Sequence, residues 1–445
     1  PAPPSRTAST ATPTPEPAPS FTRGGVATML ATGCRARHHR SMGIDDPLLP
    51  AAVHLTGEFA DDALRPAVEH AGGRLLTFGC TQVHYRPGHD LVARYRVEID
   101  WGDGTPRRET LYVGTTRDGA PSGTVTVTAP VDNDVLAAGV WRWPFDPNLP
   151  ALERLARTTG KVLADHGVTT SARPRVTVAA YRPTERAVLR IADGEHAWYA
   201  KLVRPDETAD LVRRHELLAS FGLPVPELVG YDVDQGLVIM AELGGPTMRD
   251  LVKSDAPRWP TPHALADLVR RIRCVEATDL TAMRHRLRDG PHHTALLASV
   301  LPAERDRLAR LDEQLQDALD EAAQREPVFV HGDLHERQLV VAGDRIVGLL
   351  DIDECGTGDP VDDVAVPVAH LRYRALTAPN AARIRRYADD LITACSDLVP
   401  PATASVASAA VLAGLATSAF RAQTDDWPQR AASVLDLIDD TLTTT

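Results

Sequence analysis

Lysine is nearly absent from this chain: of 48 basic residues, only Lys161, Lys201 and Lys253 are lysines. With Ala and Pro abundant, the preference for Arg reads as the signature of a GC-rich coding genome, so each retained lysine carries more information than usual. Aromatic residues are scarce at 5%, although the apolar share of 43% and the charged share of 24% are those of an ordinary globular chain. The five cysteines, Cys34, Cys80, Cys274, Cys355 and Cys395, lie far apart with no Cys-x-x-Cys pair. That spacing excludes a zinc or disulfide framework and fits a reducing cytoplasm, the expected location. No run of about 18 apolar residues occurs, so no membrane span is expected. An excess of positive charge is missing too. The formal charge of −12 argues against nucleic-acid binding, which needs a surplus of Lys and Arg to neutralise phosphates.

At 445 residues the chain is long enough for two or three domains, each with its own core. Residues 1–42 are rich in Pro, Ala, Ser and Thr and cannot bury enough surface to order themselves, so a flexible tail is expected. Within it "MLATGC", ending at Cys34, has too short an apolar stretch and no basic opening for a lipoprotein leader, and Met29 and Met42 are alternative starts. Beyond the tail two segments repeat one another. "VHYRPGHDLVARYRVEI" (83–99) and "VAAYRPTERAVLRIADG" (178–194) each carry an alternating strand, the turn-like Tyr-Arg-Pro and a second strand. A third strand follows each, around Gly114 in the first copy and around Lys201 in the second. Both units read as small antiparallel sheets, and the alternative is two unrelated hairpins sharing a chance tripeptide.

After Lys201 the pattern turns helical: Leu211, Leu217, Leu218 and Phe221 roughly share one face, with Gly222 as a stop. Glu216 then lies on a helix able to pack against the lysine strand, where an ion pair would hold the ammonium toward nucleotide phosphates. The next strand, Leu237 to Ala241, runs into "MAELGG"; Met240, Glu242 and Leu243 are placed to meet a flat adenine with backbone groups. From Thr247 to Glu326 the chain reads mainly as amphipathic helices, including one with Leu308, Leu311, Leu315 and Leu319 in register.

The most informative stretch is "PVFVHGDLHERQLVVAGDRIVGLLDIDECGTGDPVDDVA", residues 327–365. Strand-like runs at 328–330 and 339–341 bracket "HGDLHERQ", and a turn at 342–344 leads into a strand, 346–350, that delivers Asp351. Hairpin geometry therefore brings two acids and an amide together. Phosphoryl transfer asks a protein mostly for positioning and charge neutralisation. Asp333 suits the base that orients an acceptor hydroxyl, and Asp351 with the carbonyl oxygen of Gln338 suits Mg²⁺, a hard ion that prefers oxygen ligands. Gln differs from the usual Asn by one methylene, which changes reach and leaves the oxygen chemistry alone.

These residues, "HGDLHERQ" followed by "LLDID" and "GDPVDDVA", resemble the aminoglycoside phosphotransferase and choline kinase superfamily, and the Gln version resembles its maltokinase and glucosamine kinase branch. The resemblance covers about Arg175 to the C-terminus. It implies an α+β, bilobal protein-kinase-like fold with an added N-terminal antiparallel β-containing cap domain: tail 1–42, cap 43–148, N-lobe 149–246 and helical C-lobe 247–445. It implies ATP and Mg²⁺ as cofactors, Asp333 as catalytic base, Gln338 and Asp351 as metal ligands, Lys201 as the phosphate-binding lysine with Glu216 as its partner, and Asp363 as a structural brace. The sequence departs from the kinase pattern at one point. "YRPTER" (181–186) stands where a glycine-rich phosphate loop belongs, leaving Arg182, Arg186 or backbone amides of that turn to meet phosphates.

The expected activity is ATP-dependent transfer to a hydroxyl of a sugar or aminosugar, by a monomer or homodimer. Two alternatives stay open: an aminoglycoside-type antibiotic kinase, whose cationic acceptor would be drawn by Asp353, Glu354, Asp359 and Asp362, and a catalytically silent binding protein on the same scaffold. "TDDWPQR" (424–430) offers Asp425, Asp426 and Trp427 as an acceptor pocket, or else simply a helix boundary at Pro428. In "VWRWPFDP" (140–147), aromatic and proline-punctuated, a linker packed on a neighbouring lobe is the expectation.

Overall fold

In the computed structural model, residues 60–443 are described apart from 87, 132–133, 172–173, 278, 281–284, 323–324 and 423–425, together with Leu48, Ala51, His54 and Leu55. The expected tail with Met29, Cys34 and Met42 lies outside the described residues, as does Asp425.

The N-terminal unit begins with helix α1 (Ala60–His70), whose Ala60, Ala63, Leu64, Ala67 and Val68 form one apolar stripe. The stripe covers an antiparallel sheet of β1 (Arg74–Arg86), β2 (Asp90–Asp100), β3 (Pro106–Thr116), β4 (Val125–Val131) and β5 (Asp134–Arg142), in the order β1-β2-β3-β5-β4. Strand β2 shows why this folds as a sheet: Leu91, Ala93, Tyr95, Val97 and Ile99 alternate inward and are buried.

The second unit repeats this plan. Helix α2 (Ala151–Asp165) buries Leu152, Leu155, Val162 and Leu163 against a sheet of β6 (Arg175–Arg182), β7 (Arg186–Asp193), β8 (His196–Leu202), β9 (Leu228–Asp232) and β10 (Leu237–Ala241). The strand order is β6-β7-β8-β10-β9, the same succession as before. One difference stands out: helix α3 (Pro205–Ser220) is inserted between the third and fourth strands. In α3 the inward face holds Leu211, Val212, His215 and Leu218, while Phe221, expected on that face, is 42% exposed just past the helix end.

The remainder is mostly helical: α4 (Met248–Lys253), α5 (Pro262–Arg273), α6 (Arg286–Val300), α7 (Arg305–Ala322), α8 (Asp362–Ala375), α9 (Ala381–Ala394), α10 (Pro401–Arg421) and α11 (Trp427–Thr443). Two short ribbons interrupt it, β11 (Val328–Val330) paired with β14 (Gly356–Gly358), and β12 (Leu339–Ala342) paired with β13 (Arg345–Leu349). Helix α10 is, by length and composition, apolar enough to cross a membrane, although Ser, Thr and Gly interrupt its apolar run. Two thirds of its apolar window (67%) is buried inside the protein, where it packs on α6, α8 and α11 as a core helix.

The N-terminal unit is docked on both neighbours. Leu296 of α6 and Phe420 of α10 belong to its apolar core. Against the second sheet it presents Tyr112, stacked on Trp141 at 5.7 Å, with Tyr181 of β6 edge-on to Tyr112 at 5.4 Å and to Trp143 at 5.0 Å.

Candidate active site

Residues 331–338 form the loop between β11 and β12, and its shape is set by hydrogen bonds that the side chains themselves supply. The fully buried carboxylate of Asp363, in the first turn of α8, accepts from the backbone N–H of His331 at 2.8 Å and of Gly332 at 3.0 Å. Gly332 sits at φ +79°, a conformation that favours glycine, and a Cβ there would press on the Glu354 carbonyl at 3.1 Å. His331 ties the loop to the strand beyond it: Nε2 lies 3.0 Å from the Leu350 carbonyl, so it carries the proton, and Nδ1 accepts from the Asp333 N–H at 3.3 Å. Asp333 and Asp351 are thus braced through one imidazole.

Asp351 follows β13 in the left-handed region at φ +55°, unusual for a residue with a Cβ and a mark of a conformation held by its surroundings. Its carboxylate meets Lys201 Nζ at 2.8 Å, and the same ammonium reaches Asp353 at 2.5 Å. Burial would push the Asp351 carboxyl up, but Lys201 and then Arg186 outweigh it and hold it below the ordinary carboxylate range. Lys201, 6% exposed on β8, stays charged: burial disfavours the ammonium and the two carboxylates more than compensate. Gln338 completes the group, its amide 3.3 Å from Asp351 Oδ2 and 3.3 Å from His335 Nε2. His335 Nδ1 accepts from the Arg337 N–H at 3.2 Å, so in the neutral ring Nε2 carries the proton. An amide turned with Oε1 inward would accept from that N–H and set its oxygen beside the Asp351 carboxylate. The donor set is then made of oxygens, which is what Mg²⁺ takes.

Asp333 is more crowded than its motif suggests. Arg286, the first residue of α6, donates to Asp333 Oδ1 at 2.7 Å, to the Gly332 carbonyl at 2.9 Å and to Glu354 at 3.0 Å. His335 Nε2 lies 3.6 Å from the other carboxylate oxygen and stacks on His370 at 4.3 Å. Burial would raise the Asp333 carboxyl, but His335 and then the Arg286 charge prevail and lower it to about 2. His370 is driven down to about 3, by burial and then by the adjacent imidazole of His335. Asp333, His335 and His370 together have the composition of a metal cage. Because His335 turns an N–H rather than a lone pair toward Asp333, the trio is a hydrogen-bonded support for the carboxylate instead.

Some expected pairings are not formed. Glu216 points out of α3 to solvent, since a helix turns 100° per residue and its neighbour His215 takes the inward place beside Lys201. Burial, then the Lys201 charge, push His215 down to about 4. Met240 is buried in β10 opposite Tyr199 and Leu228. The Glu242 carboxylate is taken by Arg190 at 2.6 and 2.7 Å and its N–H by the Ala197 carbonyl at 2.9 Å, so Glu242 does not offer its amide. The Leu243 amide has no partner among the described residues.

Asp426 pairs with Arg430 on its own helix, and Trp427 packs edge-on to Phe420 at 5.1 Å, between the C-lobe and the N-terminal unit. The acids suggested as a lure for cationic acceptors are also spoken for: Asp353 by Lys201, Glu354 by Arg286, Asp359 by Arg325, while Asp362 is buried. Of the two turn arginines, Arg186 reaches Asp351 at 3.7 Å and Asp353 at 3.6 Å, whereas Arg182 stays by Glu185. Arg286 and His370 were not foreseen. They lie 47 and 37 residues from Asp333 and no local spacing announces them, whereas Asp353 had a signal in "DID".

The model of the phosphotransferase enzyme family matches residues 150–398. An aminoglycoside 3'-phosphotransferase of Escherichia coli is 25% identical over 170 residues, which is 36% of this chain; the chain spans 62% of that relative's length. Among solved structures, an ADP-bound aminoglycoside phosphotransferase is 14% identical with a TM-score of 0.44, covering 64% of this chain and 99% of its own. A choline/ethanolamine kinase family protein from Mesorhizobium loti is 16% identical with a TM-score of 0.45, covering 64% and 94%. The family model begins at the residue before α2 and runs as far as the residues that follow α9, taking in Lys201, Asp333 and Asp351; it covers more than half of the chain, and the protein is therefore a member of the phosphotransferase enzyme family.

Proposed function

We propose that this protein transfers the γ-phosphoryl group of ATP to a hydroxyl of a sugar or aminosugar. The observation that carries the reading is the meeting of Lys201 from the upper sheet with Asp351 and Gln338 from the lower hairpin, beside the braced Asp333. Asp333, ionised down to about pH 2, accepts the hydrogen bond of the acceptor hydroxyl and aims its oxygen at the γ-phosphorus. A new P–O bond forms there as the bond to the β-phosphate oxygen breaks, and the hydroxyl proton passes to the carboxylate. Lys201 and Arg186, now held by acids, supply positive charge to the phosphates when these enter. Asp351 and Gln338 would hold Mg²⁺, which when bound would neutralise phosphate charge. Leu243 offers its N–H to the adenine edge.

The resemblance of the Gln338 loop to the maltokinase and glucosamine kinase branch favours a sugar-like acceptor, as does the neutralisation of the nearby acids by Lys and Arg. The matched Escherichia coli relative, named for aminoglycosides, keeps an antibiotic acceptor as the second reading. The test is Mg²⁺-dependent ATP turnover with sugars, aminosugars and aminoglycosides, comparing wild type with Asp333→Ala. Turnover with one acceptor class and a loss of about 10²–10⁴ in kcat for the variant are expected. Undiminished turnover in the variant ends this assignment, and failure of every acceptor favours the silent scaffold.

A further inference from the structure

The turn between β6 and β7 stands where phosphates must pass, yet it contains no glycine between Tyr181 and Arg186. A glycine-rich loop binds phosphate with backbone N–H groups. Here two of those groups are already engaged: Glu185 N–H donates to the Arg182 carbonyl at 3.1 Å, and Thr184 N–H donates to Asp146 Oδ2 at 2.9 Å. Asp146 belongs to the linker that follows β5 and is 2% exposed. Its Oδ2 also accepts from the Tyr181 hydroxyl at 2.6 Å, and its Oδ1 accepts from the Asn148 N–H at 2.9 Å. Asn148 then donates through its side chain to the Thr184 carbonyl at 3.0 Å. Both backbone groups of Thr184 are therefore gripped by the linker, and Thr184 itself is held at φ +65°, a conformation a β-branched residue rarely adopts unaided.

The N-terminal sheet adds a second hold. Arg86, at the end of β1, sits against Asp90 with Nε at 2.7 Å from Oδ1 and extends Nη1 to Glu185 at 3.0 Å. One residue beyond Glu185, Arg186 directs its guanidinium at Asp351 and Asp353.

We infer that the N-terminal unit and its linker act as a clamp that locks this turn so that Arg186, rather than a mobile glycine-rich backbone, meets the nucleotide phosphates, with Asp146 as the positioning residue. This rests on the kinase reading above. Asp146 touches no phosphate, so its effect on nucleotide must pass through Thr184 to Arg186.

The experiment measures MgATP affinity by titration calorimetry in the full chain, amide exchange at Thr184 and Glu185, and KM for ATP and for the acceptor. Asp146→Ala should speed exchange in the turn and weaken MgATP about tenfold, leaving the acceptor KM unchanged. Arg186→Ala should show the same loss, and adding Asp146→Ala to it should cost nothing more, since the two act in series. Additive losses, or a loosened turn with unchanged MgATP affinity, overturn the clamp. Should Asp146→Ala fail to fold, Arg86→Ala, on a half-exposed side chain, decides by the same readings with a smaller loss of about threefold. A wild-type chain that binds no MgATP refutes the kinase reading itself, and the clamp falls with it.

Discussion

The N-terminal sheet and the kinase-lobe sheet run the same course, a helix and then five antiparallel strands in the order first, second, third, fifth, fourth, yet only one of them is equipped for nucleotide. Their ladders can be laid side by side. Arg86 pairs with Asp90 across the first turn as Arg182 pairs with Arg186 across the second. Two residues further on, Val92 faces Gly114 and Val188 faces Lys201. The lysine position of one sheet is thus a glycine in the other, and Arg186, which faces Asp351 and Asp353, corresponds to an aspartate that binds Arg86 instead. Trp141 fills the space over Gly114, where a Cβ would lie 2.8 Å from its ring. The kinase-lobe sheet also receives α3 between its third and fourth strands, which brings His215 to the lysine; the N-terminal sheet has no helix there. What differs between the two is the side chain at these two ladder positions and the inserted helix, while the order of the strands is shared. One copy supplies charge to the site and the other supplies a platform that holds the first in place.

The comparison breaks most visibly at the lysine. Lys201→Ala makes the kinase-lobe position resemble Gly114, and kcat/KM for ATP should fall by about 10²–10³, read from steady-state kinetics. An undiminished kcat/KM would show that the two positions are equally idle. The reverse perturbation is one of packing. Gly114→Ala drives a methyl into Trp141, whose ring is pinned on Tyr112, and overpacking of this kind should destabilise the N-terminal unit by about 2 kcal/mol, measured by denaturant titration. Ala at 114 without loss would mean that Trp141 moves freely and the seam is soft.

A smaller effect sharpens the role of the inserted helix. His215 has a folded pKa near 4, lowered from its ordinary value, so between pH 6.5 and 4 the unfolded chain binds the extra proton and stability is lost as pH falls. His215→Asn should remove that part of the acid sensitivity, about 1 kcal/mol at pH 5.5 relative to pH 7.5, visible as a flatter melting-temperature profile. An unaltered profile would place the proton-sensitive group elsewhere, His370 being the next candidate by its own lowered value.

Much of the site was readable from local pattern. Leu237–Ala241 and Val328–Val330 are strands with the bounds the apolar runs suggested, and β12 and β13 differ by one residue from their expected ends. Asp333, Gln338 and Asp351 could be grouped because a hairpin of known length joins them. The resemblance of the two Tyr-Arg-Pro segments pointed to the paired sheets. Legibility failed where a contact depends on rotation about a helix or on distant chain. Glu216 and His215 are adjacent in sequence and on different sides of α3, and the amphipathic pattern was too loose to choose between them. Trp427 reads equally well as a sugar platform or as an interface residue, and its packing against Phe420 could not be read from the local pattern.

Short-range periodicity and motif spacing, which depend only on backbone geometry over a few residues, were enough to identify strands, helices and the hairpin carrying the acids, and the resemblance of the motifs pointed to the family. The partners of Lys201 and the grip of Asp146 on Thr184 depend instead on how the sheets and the helical lobe meet, and the reach of Arg286 to Asp333 depends on how that lobe packs. Such contacts join residues 38 to 152 positions apart. Nothing in the local order of the chain specifies them; they follow from the buried surfaces through which the sheets and the helical bundle meet.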